Sequence, residues 1–156
     1  MKFIKVIIKY PLECIAGIMF SILTITVFFQ VISRYIFRAP FPWPEELAML
    51  LFVWTCLLGA AIGVRNDSHY SVSFLFDLFP EKIKGFLEIL INIFVAFLVV
   101  YWGWMGIKSL PVASNQIYSA LRIPRSWLNV SLPASCSLMF LFSLINIYNK
   151  IKKLMF

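Results

Sequence analysis

Four uncharged stretches, each long enough to cross a lipid bilayer, dominate the sequence. They cover residues 14–33, 47–64, 89–107 and 126–149, and charged residues bound each of them. A helix rises 1.5 Å per residue, so about 20 apolar residues cross a ~30 Å hydrocarbon core. Backbone polar groups in lipid must be satisfied inside the segment or by a closed barrel. Barrel strands would alternate apolar and polar positions over segments of about ten residues, and these runs do not alternate. The expected fold is therefore an all-α integral membrane protein with four transmembrane helices, over about 12–37, 44–65, 81–108 and 125–150, in a single membrane domain of residues 1–156. Composition agrees: 62% of residues are hydrophobic and 13% charged, against about 25% charged in soluble domains. The first run exceeds a signal-peptide core and no small-x-small cleavage site follows it, so it reads as a retained span.

The net charge of +7 bears on orientation, not on nucleic acid, because the Lys and Arg residues sit at the ends of the runs. With four spans both termini share a side. That side carries Lys2, Lys5, Lys9, Arg65, Lys82, Lys84, Lys150, Lys152 and Lys153, against Arg34, Arg38, Lys108, Arg122 and Arg125 on the other. The positive-inside rule then puts both termini in the cytoplasm. Trp43, Trp102, Trp104 and Trp127 fall at the outer ends of their spans, where aromatic residues collect at headgroup depth.

Between spans two and three, Val72, Leu75, Phe76 and Phe79 recur at i, i+3, i+4 and i+7 while Ser71, Ser73 and Asp77 fall elsewhere. This periodicity predicts a short amphipathic helix over about 70–79, lying on the membrane lipid at the cytoplasmic interface. Packing of the same face against protein is the other reading. The basic start, residues 1–10, has the same interfacial character.

Chemistry-bearing patterns are sparse. The sole histidine, His69, lies in a connection, so no span offers a haem ligand. There is no phosphate loop and no Cys/His cluster. Cys14, Cys56 and Cys136 lie inside apolar runs and read as small buried residues. No enzyme activity, cofactor or metal is expected. No charge falls at mid-span, where ion carriers place one for function. Glu13 and Glu88 each follow a lysine by four residues, Lys9 and Lys84, and read as interfacial pairs. Gln30, Asn92, Asn129 and Asn146, with Ser21, Thr24, Thr26 and Thr55, read as polar contacts that join helices. Gly59, Ala60, Ala61 and Gly63 form a small-residue face on span two that suits close helix packing, in this chain or against another. Trp54 lies mid-span and is expected to pack inside.

The densest charge falls at the first outer hairpin, "RYIFRAPFPWPEEL". Arg34 and Arg38 close span one; Trp43, Glu45 and Glu46 open span two, with Pro44 in its first turn, where a missing N–H costs nothing. The glutamates meet the positive end of the helix dipole. A clamp between spans is expected here, most simply an Arg34–Glu46 ion pair; direct contact with a partner is the compatible second reading.

The stretch "SRYIFRAPFPWPEELAMLLFVWTCLLGAAIGVRNDSHYSVSFL" resembles the small membrane subunit of TRAP transporters, the tripartite ATP-independent periplasmic importers. Trp43, Glu45, Glu46, Trp54, Gly59, Ala60, Ala61, Arg65 and His69 carry the likeness, and "FPEKIKGFLEI" resembles the family's entry to its third helix. The resemblance implies a four-helix accessory subunit of the bacterial inner membrane. Its partners would be a large permease subunit and a periplasmic solute-binding protein. Organic acid uptake (a dicarboxylate, keto acid or sialic acid) would be coupled to sodium in the large subunit. Trp54, Gly59, Ala60, Gly63, Arg65 and His69 become the candidates for facing that partner. Two alternatives stand beside this: a self-sufficient exporter of the small multidrug resistance type, with Glu13 as its carboxylate, and an assembly factor for a respiratory complex.

Overall fold

A computed structural model of the protein describes residues 10–66 and 81–155. They form four helices in chain order: α1 (Pro11–Tyr35), α2 (Trp43–Arg65), α3 (Glu81–Ser114) and α4 (Ser126–Met155). Each contains a segment long and apolar enough to cross a membrane: Pro11–Tyr35, Trp43–Arg65, Ile89–Ser114 and Ser126–Lys150. The protein is all-α, with four spans. The basic start up to Lys9, His69 and the interfacial segment with Val72, Leu75, Phe76 and Phe79 lie outside the described residues.

The helix ends follow local chemistry. Pro11 opens α1 and Pro44 sits in the first turn of α2, positions that need no intrahelical N–H. Past the end of α1 the chain turns through Arg38, whose φ of 51° is left-handed. That turn lets the N–H of Ala39 donate back to the Ser33 carbonyl at 3.1 Å. α3 runs further than expected, to Ser114 rather than about Lys108. Pro111 lies inside it, and the Ser114 hydroxyl donates to the Pro111 carbonyl at 2.8 Å.

Polar residues along the spans are satisfied in two ways. The hydroxyls of Ser21, Thr24, Thr26 and Thr55 each donate to a carbonyl four residues back in their own helix, at 2.7–2.9 Å. These four do not join helices, as the sequence reading expected; a short hydroxyl reaches its own helix more easily. Asn129, Ser143 and Asn146 do reach other helices. Asn129 Nδ2 donates to Ser109 Oγ at 3.1 Å, Ser143 Oγ to the Asn92 carbonyl at 3.1 Å, and Asn146 Nδ2 to the Val64 carbonyl at 2.7 Å.

The chain divides into two compact units. The first takes Met1–Gly59 and Lys108–Ser131; the second takes Ala60–Ile107 and Leu132–Phe156. In the first, Leu23, Thr26 and Ser33 of α1, Leu51 and Leu58 of α2, and Ala113 and Tyr118 are buried. Most of α1 stays exposed, including Phe20, Ile25 and Phe28, as suits a helix facing lipid or another chain. In the second, Ala61, Val64, Val99, Cys136 and Met139 form the core, with Val95, Leu132 and Phe140 packed on it. Lipid is as apolar as leucine, so helices in a membrane gain mostly from close packing. Gly106 supplies it here: a Cβ at this position would stand 2.9 Å from Pro133 Cδ.

Candidate functional site: a carboxylate latch between span two and the α3–α4 hairpin

All of this site belongs to the first unit. Residues 115–125, between α3 and α4, fold into a small hairpin. Ile117 and Pro124 form an antiparallel bridge. The Tyr118 N–H donates to the Ile123 carbonyl at 3.0 Å, and the Arg125 N–H to the Gln116 carbonyl at 2.8 Å. The turn closes through Arg122, whose φ is 53° and whose N–H donates to the Tyr118 carbonyl at 3.0 Å. That closure leaves the consecutive N–H groups of Ala120 and Leu121 in need of an acceptor, because buried or half-buried backbone donors are rarely left unpaired.

Glu46 is that acceptor. One carboxylate oxygen takes the Ser119 hydroxyl at 2.8 Å and the Ala120 N–H at 3.1 Å; the other takes Ala120 N–H at 3.0 Å and Leu121 N–H at 2.9 Å. A concavity of successive N–H groups is a natural anion seat, and hydrogen bonds to an ionised acceptor are the stronger kind. The first turn of α2 adds the positive end of its dipole. Further bonds tie the same elements. Trp54 Nε1 of α2 donates to the Trp127 carbonyl at the start of α4 at 3.1 Å. The buried Tyr118 ring carries the Arg125 guanidinium 5.9 Å from its centre.

This arrangement replaces the expected Arg34–Glu46 ion pair. Among the described residues no ion pair joins the two; the Glu46 carboxylate is spent on the hairpin, and Arg34 is exposed in the last turn of α1. Arg38 and Glu45 are exposed as well. Trp43 packs on Phe29 of α1, ring centres 5.5 Å apart, and Phe41 stacks on the same ring at 6.4 Å. The α1–α2 connection is thus held by aromatic contact rather than charge. Trp54 is half-buried. The small residues of α2 divide: Ala61 is fully buried, Gly59 and Ala60 are exposed, and a Cβ at Gly59 or Gly63 would meet nothing within 4 Å. Arg65 closes α2. Ser119, Ala120 and Leu121 carry no residue-type signal, since two of the three act through backbone N–H; the sequence reading left them in a polar connection. Among the described residues no group of three His, Cys, Asp or Glu could hold a metal ion.

Comparison with known families decides what this bundle is. Residues 23–153 match the family described as tripartite ATP-independent periplasmic transporters, DctQ component. The chain belongs to the DctQ family. It is a small TRAP permease component, a part of a transporter rather than an enzyme, and a multi-pass protein of the inner membrane. The sialic acid TRAP transporter small permease protein SiaQ of Vibrio cholerae is 31% identical over 157 residues, 99% of this chain and 90% of that protein. The sialic acid TRAP transporter permease protein SiaT of Haemophilus influenzae is 33% identical over 127 residues, 81% of this chain. This chain spans only 21% of the length of that relative. The C4-dicarboxylate TRAP transporter small permease protein DctQ of Vibrio cholerae is 29% identical over 72 residues, 46% of this chain and 31% of its own. Membership in the DctQ family does not favour the small multidrug exporter reading with Glu13.

Proposed function

We propose that this DctQ component is the scaffold subunit of a sodium-coupled importer of organic acids, with sialic acid the first solute to test. It binds side by side with a large permease subunit, which carries the solute and the sodium. One observation carries the reading. The same sequence region occurs as nearly a whole small permease protein in one relative and as about a fifth of a much longer permease protein in another. A region that is separate in one organism and part of a long chain in another works against that long chain. The lack of a mid-span charge in the sequence agrees, because a chain that moves ions through its own spans places ionisable groups there. Charge bias supports an orientation with both termini in the cytoplasm and the α1–α2 connection and 115–125 hairpin outside. A soluble solute-binding protein in the periplasm would deliver the organic acid to that outer side. Trp54, Gly59, Ala60, Gly63, Arg65 and His69 remain proposed partner-facing residues.

The test is co-purification and reconstitution. A tagged copy of this chain should bring down a large TRAP permease subunit. Sodium-dependent sialic acid uptake into proteoliposomes should need both chains and the binding protein. Uptake by this chain alone would overturn the scaffold reading. An alkaline phosphatase fused after Phe156 should stay inactive if the C-terminus is cytoplasmic.

A further inference from the structure

The hairpin that receives Glu46 is shaped without it. The Ile117–Pro124 bridge fixes its two arms. Tyr118 N–H donates to the Ile123 carbonyl, Arg122 N–H to the Tyr118 carbonyl and Arg125 N–H to the Gln116 carbonyl. None of these bonds involves the glutamate. The backbone they hold aims the N–H groups of Ala120 and Leu121, with the Ser119 hydroxyl, at one place. A seat preformed in this way spends little of its binding energy on ordering itself.

The donors suit the shape of a carboxylate. Ser119 meets one oxygen, Leu121 the other, and the Ala120 N–H is shared between them, all at 2.8–3.1 Å. An ionised carboxylate offers two acceptor oxygens and no donor, so nothing in it opposes the N–H groups. A spherical anion has one centre and cannot reproduce that spread. The seat is also within reach of solution: Ser119 is exposed, and Glu46, Ala120 and Leu121 are only half-buried.

We propose that Ser119, Ala120 and Leu121 form a binding site for small carboxylates in its own right, which Glu46 occupies as a tethered ligand. In the wild-type chain the tether keeps the site filled and closed to organic acids in solution. With the side chain cut back to Cβ, the site opens to a free carboxylate. Acetate is the probe of matching size, because its two carbons and two oxygens replace the Cγ, Cδ and carboxylate oxygens that Glu46→Ala removes. Formate lacks the methyl group and fills less of the space.

The test melts the full-length chain, purified in detergent at neutral pH, in sodium acetate and in sodium chloride of equal ionic strength. In chloride, Glu46→Ala should melt several degrees below wild type. Acetate should return about half of that loss or more, rising with concentration as for a ligand that only the folded state binds. Formate should return less. Wild type and Glu46→Gln, whose seats are filled, should gain nothing specific from acetate. In Glu46→Ala the amide resonances of Ala120 and Leu121 should shift and saturate as acetate is titrated. If Glu46→Ala is too unstable to purify in chloride, folded protein should be recovered in acetate. Recovery in neither salt overturns the site, and so does equal melting of Glu46→Ala in both. A rescue that wild type shares in full, or that leaves the two resonances unmoved, is a general salt effect and overturns it as well.

Discussion

The carboxylate of Glu46, in the first turn of α2, accepts the backbone N–H of Leu121 at 2.9 Å across 75 residues of chain. With the bonds to Ser119 and Ala120, it fastens the start of span two to the hairpin before span four. Removal of the side chain by Glu46→Ala leaves the Ala120 and Leu121 N–H groups without their acceptor. The purified complex should melt several degrees lower. Glu46→Gln keeps one acceptor oxygen and should cost less, and Ser119→Ala, which removes one hydroxyl and no backbone partner, least of all. Thermal unfolding in detergent or nanodiscs reads the order. An unchanged melting temperature for Glu46→Ala would show that the latch contributes nothing.

Arg34 stands outside this latch. The effects of Arg34→Glu and Glu46→Ala on melting temperature should therefore add in the double variant, as for independent sites. Loss in the double variant well below that sum would restore the ion pair that the sequence alone had made the simplest expectation.

How far the sequence could be read differs between backbone and side chain. Uncharged run length fixed the four spans, because lipid penalises every other backbone solution. Helix ends followed from Pro44 and the position of the charges, whereas the start of α1 at Pro11 came from the structure. The extra turns of α3 were hidden by Pro111, normally a stop signal, which the helix absorbs near its end. The importance of Glu46 was legible, since two acids at a helix start are conspicuous. Its partner was not: Ala120 and Leu121 bind through N–H groups that every residue but proline carries. The nearest opposite charge, Arg34, was the natural but mistaken choice. Likewise Ser21, Thr24, Thr26 and Thr55 could bond across helices or to their own, and composition does not distinguish the two.

The open space around Gly59 and Gly63 separates stability from assembly. A Cβ at either position meets nothing within 4 Å, so Gly59→Ala or Gly63→Ala should leave the isolated chain as stable as before or slightly more so, since alanine is the better helix former. If this part of α2 receives a helix of the large permease, Gly59→Leu should cut co-purification several-fold. Undiminished recovery of the large subunit would remove Gly59 from the partner-facing set.

In the second unit, Asn146 offers a measurement of an interhelical bond. Its Nδ2 donates to the Val64 carbonyl at 2.7 Å, joining α4 to the last turns of α2. Interhelical hydrogen bonds in membranes average about 0.6 kcal/mol and reach about 1.7. Asn146→Leu should thus destabilise by no more than that upper value in reversible unfolding. A larger loss would mean that Asn146 does more for stability than its bond to Val64.

Gly106 is closely packed: an added Cβ would lie 2.9 Å from Pro133 Cδ and 3.3 Å from two carbons of Leu132. The proline ring cannot swing aside like the end of a long side chain, so the helices must part. Overpacking of this kind costs about 1–3 kcal/mol, and Gly106→Ala should lower both melting temperature and yield of folded protein. Gly103→Ala meets only Cys136 Cβ, at 3.3 Å, and should be milder. Pro133→Ala removes the obstructing ring and returns an N–H to α4. Combined with Gly106→Ala it should therefore recover part of the loss. The decisive comparison is the double variant against Gly106→Ala alone: if the proline change gives no recovery, the clash is not with the ring and the reason for glycine at 106 lies elsewhere.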